Sequence, residues 1–256
     1  MNRSTLILCS CLLLLLSPLA RAQQPDIFAN PKNLKVLPKD ISSKELSETM
    51  KGFAFALNAR CETCHVGEAG KPLTTFDFIA EEKPKYVSAR VMLKMVAAIN
   101  KKHLSKLGDD RREGVEVRCV TCHRGQDRPR LIQDILDSNI AESGVDAAIA
   151  KYTELREEYY GSHTYDFSDM PLNEYAIGVM QKGDTAGALK LVDMNIENNP
   201  DSVWVYYYKG RIQNSSGDVA GAIATFETAA ELFPDQAPRI QRNVEMLKKK
   251  LENAEE

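Results

Sequence analysis

The chain has 256 residues, of which 43% are hydrophobic and 27% are charged, and its formal net charge is −3. This length and apolar content are sufficient for two modest domains with hydrophobic cores. A mildly acidic charge without a basic cluster argues against a nucleic-acid-binding protein. Apolar residues recur with a period near 3.6, and strand-like alternation is scarce, so the sequence predicts an all-α fold.

The first 22 residues are typical of a secretory signal peptide. Arg3 precedes an apolar run from Leu6 to Leu16, and Ala20-Arg21-Ala22 is a cleavage signal, which puts the mature start near Gln23. The apolar run is shorter than the roughly 20 residues that span a bilayer, and no later stretch is long enough, so we expect no transmembrane segment in the mature chain. Leu8-Cys9-Ser10-Cys11 precedes most of the leucine run, so we do not expect a lipid anchor. The expected location is the periplasm.

A first helix is predicted from Ser43 to Asn58, because apolar residues recur along one face at Leu46, Met50, Phe53 and Leu57. Met50 lies in the middle of that face, eleven residues before Cys61. Its thioether can reach a group attached just downstream. The alternative is an ordinary core methionine, which is the more common role of such a residue.

Two segments, Cys61-Glu62-Thr63-Cys64-His65 and Cys119-Val120-Thr121-Cys122-His123, carry the C-x-x-C-H pattern of haem c attachment. The two thiols add to the vinyl groups of one haem, and the imidazole of the next residue binds the iron. Cys9 and Cys11 lie in the leader, so none of the six cysteines remains for a disulfide framework. Four thiolates are also a possible zinc site, but zinc does not explain a histidine after each pair in a chain with only four. The sequence therefore predicts two covalently bound haem c groups.

A second helix is predicted from Ser88 to Asn100, with Met92, Met95, Val96 and Ile99 on its apolar face. Only one of the two thioethers can bind an iron. The polar residues 101–116 are predicted to form a loop that returns the chain to Cys119. We expect His103 to interact with the last carbonyls of the helix rather than with iron. His163 is far from both motifs in sequence and is expected at the surface or between domains.

These segments resemble the cytochrome c subunit of photosynthetic reaction centres. The features in common are a methionine-bearing helix before C-x-x-C-H, and a Met-x-x-Met-x-x-x-Ile-Asn helix before Cys-x-Thr-Cys-His-Arg-Gly. That family carries four haems in two similar halves, and Met50 to Gly125 covers about one half. The resemblance implies Met50 as sixth ligand of the first iron, and Met95, with Met92 as the alternative, for the second. More specifically, the chain resembles the soluble diheme relatives of that subunit that carry tetratricopeptide repeats, and nothing indicates docking to a photosystem.

A 34-residue period follows Asp169, which is the spacing of tetratricopeptide repeats. The recurring pairs are Gly183-Asp184 with Gly217-Asp218, Ala188 with Ala222, and Pro200 with Pro234. A capping helix is predicted from Pro238 to Leu251, with Ile240, Val244, Leu247 and Leu251 facing inward. Upstream, Val145 to Tyr160 resembles the second helix of a degenerate repeat. Ala148 lies 40 residues before Ala188, so an insertion of about six residues follows that helix.

The predicted organisation is a signal peptide (1–22), a diheme cytochrome c domain (23–144), a degenerate repeat helix and junction (145–168), and two repeats with a capping helix (169–256). The predicted function is a periplasmic one-electron carrier that is not an enzyme and exchanges electrons with redox partner proteins. Two alternatives remain, a diheme peroxidase in which one iron lacks its sixth ligand, and a redox-sensing scaffold. The repeats either bind a protein partner or only brace the haem domain. Because all predicted ligands lie between Met50 and His123, a chain that ends near Gly161 is expected to keep both haems with unchanged spectra.

Overall fold

The computed structural model describes residues 25–108 and 113–255, and the predicted signal peptide lies outside them. This part of the chain contains helices and turns and no β-strand, in agreement with the predicted all-α fold. None of its helices combines the length and apolar character needed to cross a membrane. The α-helices are α1 (Ser43–Leu57), α2 (Cys61–Cys64), α3 (Pro84–Ala98), α4 (Cys119–His123), α5 (Ile132–Ser143), α6 (Val145–Tyr159), α7 (Asp169–Gln181), α8 (Thr185–Asn198), α9 (Val203–Ser215), α10 (Val219–Leu232) and α11 (Ala237–Glu255).

The chain forms two compact units. The first comprises the described residues up to Thr49 together with Cys61–Arg90, and the second comprises Met50–Arg60 and the described residues from Val91 onward.

In the first unit, α1 begins with a capping box. The Ser42 hydroxyl accepts a hydrogen bond from the Glu45 amide at 3.2 Å, and the Glu45 carboxylate accepts one from the Ser42 amide at 3.0 Å.

A charged cluster also stabilises the first unit. The Glu81 carboxylate accepts hydrogen bonds from Lys35 at 2.6 Å, Arg90 at 2.8 Å and Asn33 at 2.9 Å. Together these donors, with Lys35 contributing most, lower the pKa of Glu81 to about 2. The Arg90 guanidinium also lies 4.5 Å from the centroid of the Tyr86 ring. The cluster therefore joins the N-terminal segment around Asn33 to the start of α3.

The second unit contains three antiparallel helix pairs, α5 with α6, α7 with α8, and α9 with α10, followed by α11. Residues of α5 to α9 share one hydrophobic core, while α10 and α11 form a second. The helix α5 was not predicted from the sequence, and it contributes the buried Ile132, Ile135 and Leu136 to the first core. The degenerate repeat thus has both of its helices. The boundary predicted at residue 144 remains a prediction.

The recurring Gly-Asp pair forms the turn between the helices of each repeat. Gly183 has φ 98°, a backbone conformation that favours glycine, and the Asp184 side chain caps α8 by accepting a hydrogen bond from Gly187 at 2.7 Å. Gly217, with φ 91°, and Asp218 repeat this arrangement before α10. The 34-residue period therefore follows from one turn and cap used twice.

Asn195 stands where the second repeat has Ala229, and it is fully buried. Its amide group donates to the Asp169 carbonyl and to the Asn173 side-chain oxygen, both at 2.8 Å. Its own oxygen accepts a hydrogen bond from Asn199 at 2.8 Å. A buried polar side chain is tolerated here because these hydrogen bonds replace those that it makes in water.

The capping helix extends further than the sequence predicted, over Ala237–Glu255. Ile240, Val244 and Leu247 are buried, as expected. The prediction for Leu251 is wrong, since its side chain is 37% exposed. Leu251 lies a full turn beyond Leu247, which is the last residue of α11 in the second core.

Candidate haem-binding sites

The first C-x-x-C-H motif forms a single helical turn. In α2, Cys61 and Cys64 are thiols that are not joined in a disulfide, and the His65 amide donates to the Cys61 carbonyl at 2.9 Å. The His65 imidazole packs edge-on against Phe78 and Tyr86, with ring centroids 4.9 Å and 5.3 Å away. The turn therefore brings two thiols and an imidazole together, and two aromatic rings hold the imidazole in place.

The surroundings of His65 favour its neutral form. Burial, and to a lesser extent the positive charge of Lys83, lower the pKa of the His65 imidazole. Lys83 is held close by a hydrogen bond to the Glu62 carbonyl. The Nδ1 atom of His65 is buried and has no hydrogen-bond partner among the described residues. A neutral imidazole is the form that binds a metal ion.

The chain folds back directly after His65. The Asp77 amide donates to the Val66 carbonyl at 2.8 Å, which pairs the two segments. Gly67 lies under the buried ring of Phe76, and a β-carbon at this position would overlap that ring. Phe76 in turn stacks on Phe78, with centroids 6.0 Å apart. Gly67 thus permits the close packing that carries Phe78 to the His65 imidazole.

The second motif forms the short helix α4. The Arg118 amide donates to the Thr121 hydroxyl at 3.0 Å at its start. Cys119 is partly buried, which raises the pKa of its thiol, and Cys122 is exposed. The helix ends at Arg124, which has the left-handed φ of 47°. As in α2, the two thiols lie three positions apart on one turn and an imidazole follows.

A backbone carbonyl orients His123. The Nδ1 atom of the imidazole lies 2.8 Å from the Gln126 carbonyl oxygen. A carbonyl can only accept a hydrogen bond, so Nδ1 carries the proton and Nε2 keeps its lone pair for a metal. This is the arrangement usually found around a metal-binding histidine. Gln126 was not predicted from the sequence, because a contact through a main-chain carbonyl has no side-chain signature.

Asn100 connects the methionine-bearing helix to the second motif. The helical winding continues past Asn100 as a π-helical turn over Ile99–His103 and a 3₁₀ turn over Leu104–Lys106, where the sequence had predicted a loop. The Asn100 side chain donates to the Val117 carbonyl at 2.8 Å and accepts from the Val117 amide at 2.9 Å. Both bonds fix the segment that leads to Cys119. π-Helical turns are often found at functional sites.

Helix α3 offers an apolar surface to a large ligand. The helix has no buried side chain, although Val91, Met92 and Met95 are apolar and are 56%, 36% and 45% exposed. Three exposed apolar side chains on one helix of the second unit suit the face of a porphyrin. Together with the thiols of α4 and the free Nε2 of His123, these residues fit a covalently attached haem.

A family comparison agrees with this chemistry. The model of the photosynthetic reaction centre cytochrome c subunit matches residues 16–182, well over half of the chain. The chain belongs to this family. Membership gives this cytochrome covalently bound haem and a role as an electron carrier, and proteins of the family are typically extracytoplasmic.

A second comparison concerns the repeats of this cytochrome. A tetratricopeptide repeat and J domain-containing co-chaperone from Fusarium oxysporum f. sp. lycopersici is 43% identical over 53 residues. The alignment covers 21% of the chain and 10% of the length of that relative. The likeness supports the assignment of tetratricopeptide repeats.

The remaining candidate ligands of the cytochrome lie as follows. Met50 is partly buried in α1, and His103 is exposed at the end of the π-helical turn. The His163 ring stacks on Phe55 with centroids 5.6 Å apart. Within residues 25–108 and 113–255, no group of three His, Cys, Asp or Glu side chains is arranged to hold a metal ion by itself.

Proposed function

We propose that this cytochrome is a periplasmic electron carrier with two covalently bound haem c groups, one at Cys61 and Cys64 and one at Cys119 and Cys122. The second motif carries the proposal. Its two free thiols lie on one turn, and the imidazole that follows is already hydrogen-bonded through Nδ1. The signal peptide expected from the sequence supplies the export that haem c attachment requires.

His65 and His123 are the proposed proximal ligands. The Gln126 carbonyl orients His123, while Phe78 and Tyr86 hold His65 by packing. A hydrogen bond at Nδ1 makes an imidazole a stronger donor to a metal. The two iron sites are therefore chemically different on the proximal side.

Methionines are the proposed ligands on the opposite side. Met50 is assigned to the first iron because of its place on the apolar face of its helix and the family resemblance. Met95 is assigned to the second, with Met92 as the alternative, and both side chains are exposed on α3. Histidine and methionine together favour the reduced state of a haem iron and raise its potential.

In this proposal the protein binds and orients the haems, and none of its side chains forms or breaks a bond during electron transfer. Each haem, when bound, supplies an iron that gains and loses one electron. The thiols fix each haem, and the imidazoles and thioethers set its potential. At the second haem, the apolar residues of α3 exclude water from the face of the group. The proposed exchange is with redox partner proteins.

Haem number and processing are tested by the intact mass of the protein exported with the haem attachment machinery. We expect a chain that starts near Gln23 and carries two haems. Variants with Cys61→Ser and Cys64→Ser, or with Cys119→Ser and Cys122→Ser, should each carry one haem and serve as matched controls. A wild-type mass with one haem or none contradicts the proposal.

Axial ligation is tested in these two single-haem proteins by optical and magnetic spectra. In the protein that keeps the first haem, Met50→Ala should turn the iron high-spin and lower its potential. In the protein that keeps the second haem, Met95→Ala should do the same and Met92→Ala should not. If Met92→Ala and not Met95→Ala turns the second iron high-spin, the ligand is Met92. A low-spin iron in all three variants contradicts methionine ligation.

The peroxidase alternative is tested by adding peroxide to the reduced wild-type protein. A carrier with two six-coordinate irons is expected to show no peroxide-dependent turnover. Rapid turnover, together with one five-coordinate iron, contradicts the carrier proposal.

A further inference from the structure

The connection between the first and second helix pairs is longer than the next one. α6 ends at Tyr159 and α7 begins at Asp169, whereas α8 ends at Asn198 and α9 begins at Val203. This is the insertion of about six residues that the sequence predicted from the 40-residue spacing of Ala148 and Ala188. We call residues 160–168 the insertion loop.

The insertion loop reaches the second haem motif. Thr164 is only 7% exposed, and its hydroxyl donates a hydrogen bond to the Arg124 carbonyl at 2.8 Å. Its neighbour His163 stacks on Phe55 of α1, with nearly parallel rings at 17°. Arg124 directly follows His123, the proposed iron ligand. A loop of the repeat region thus contacts the turn that ends the haem attachment helix.

The peptide unit between Arg124 and Gly125 is held from both sides. Its carbonyl accepts the bond from Thr164, and its amide donates to the carbonyl of the buried Ala56 at 2.9 Å. Both flanking residues are left-handed, Arg124 with φ 47° and Gly125 with φ 86°. A left-handed conformation is unfavourable for a residue such as arginine, because its β-carbon comes too close to the following carbonyl oxygen. The surrounding hydrogen bonds must therefore maintain this turn.

The same turn orients the iron ligand. The Gln126 amide donates to the His123 carbonyl at 2.8 Å, and the Gln126 carbonyl accepts from His123 Nδ1 at 2.8 Å. The position of the Gln126 carbonyl depends on the two left-handed residues before it. If the peptide unit at Arg124 rotates, the carbonyl that fixes the imidazole moves with it.

We propose that Thr164 is a positioning residue for His123, and that the insertion loop exists to hold the second haem motif in place. Thr164 acts through the Arg124 peptide unit and the Gln126 carbonyl on the imidazole Nδ1. The proposal rests on haem attachment at Cys119 and Cys122 as proposed above. It makes the repeat region a part of the second redox site rather than a separate appendage.

The test uses the full-length holoprotein with Thr164→Val, which keeps the shape of the side chain and removes the hydroxyl. Thr164→Ser restores a donor. Thr153→Val is the matched control, because the Thr153 hydroxyl bonds only the Ile149 carbonyl of its own helix at 3.1 Å. The measurements are intact mass, the potential of each haem and the magnetic spectrum.

We expect Thr164→Val to carry two haems, with the potential of one haem raised and its spectrum shifted, because a loosened Nδ1 bond makes His123 a weaker donor. The other haem should stay unchanged. Thr164→Ser should return both values towards those of the wild type, and Thr153→Val should match the wild type. Two haems with unaltered potentials and spectra in Thr164→Val overturn the proposal, as does an equal shift in Thr153→Val. A wild-type protein without the second haem contradicts the proposed function instead.

A second measurement keeps the proposal testable if Thr164→Val does not accumulate. In the wild-type holoprotein, the Gly125 amide should exchange with solvent slowly, because the turn is held from both sides. Fast exchange, as in a frayed loop, overturns the proposal.

Discussion

The link between Asn100 and Val117 offers a quantitative test of how the second site is assembled. Asn100→Leu keeps the approximate size of the side chain and removes both of its hydrogen bonds to the Val117 backbone. The Val117 amide and carbonyl are then left without these partners in a partly buried position. The segment entering α4 should lose its attachment to the helix that carries Met92 and Met95.

The expected loss follows from the two bonds. Each contributes about 0.5–1.5 kcal/mol net, so the free energy of unfolding should fall by about 1–3 kcal/mol. The lower part of this range applies if water reaches the Val117 groups, since Val117 is not fully buried. The methionine-to-iron absorption band of the second haem should weaken as well, because the helix no longer holds its distance from the motif.

The assay is guanidinium unfolding followed at the haem absorption band, in the protein that keeps only the second haem. A shifted midpoint with an unchanged slope reports stability alone. Asn139→Leu is the matched control, since the Asn139 amide bonds the Ile135 carbonyl within its own helix at 2.8 Å, and a change within about 0.5 kcal/mol is expected. A loss below about 0.5 kcal/mol in Asn100→Leu, with an intact methionine band, refutes the argument.

Three further predictions concern other parts of the fold. Gly67→Ala should destabilise the protein by about 1–3 kcal/mol because the methyl group of the alanine meets the Phe76 ring. Of the two haem spectra, only that of the first haem should change. Unchanged stability in denaturant unfolding contradicts this packing. Asn195→Ala should lower the free energy of unfolding, measured by thermal unfolding, by about 1–3 kcal/mol because it leaves the buried Asn173 oxygen unpaired, whereas leucine at both 173 and 195 should cost less. Equal losses in the two variants argue against a hydrogen-bond cause. The pKa of Glu81 is lowered from 4.5 to about 2, so the stabilising effect of its charge is complete above pH 4.5 and is lost as the pH falls towards 2. The difference in unfolding free energy between the wild type and Glu81→Gln should therefore vanish over that pH range. A difference that stays constant with pH contradicts the charge-based explanation.

Features with a short sequence signature could be predicted well. The C-x-x-C-H motifs need five adjacent residues on one turn, and both formed helical turns. The Gly-Asp turns depend on a residue that favours positive φ and on a capping side chain, so their recurrence gave the repeat period directly. Local chemistry determined these elements, and local sequence therefore predicted them.

Other features depend on contacts that are distant in sequence. Ile132, Ile135 and Leu136 have helical spacing, yet α5 was not predicted, because its place in the repeat region depends on the core that it shares with α6 to α9. Asn100 belongs to the Met-x-x-Met-x-x-x-Ile-Asn pattern, but only the structure shows its pairing with Val117. Thr164 has no sequence signal at all, because a hydroxyl that bonds a carbonyl 40 positions away has no local pattern.

The insertion loop changes the expectation for a chain that ends near Gly161. Every ligand predicted from the sequence lies before residue 124, so the later helices were expected to be dispensable for haem attachment, although not for stability. Removal of Thr164 takes away the donor to the Arg124 carbonyl, and removal of α7 takes away Leu172 and Ala176, which are buried in the same core as α5 and α6. The family match, which ends at residue 182, includes both the insertion loop and α7. A polypeptide that keeps the proximal side of the second haem in its native geometry should therefore extend through α7, since a left-handed Arg124 persists only where neighbouring groups hold its peptide unit.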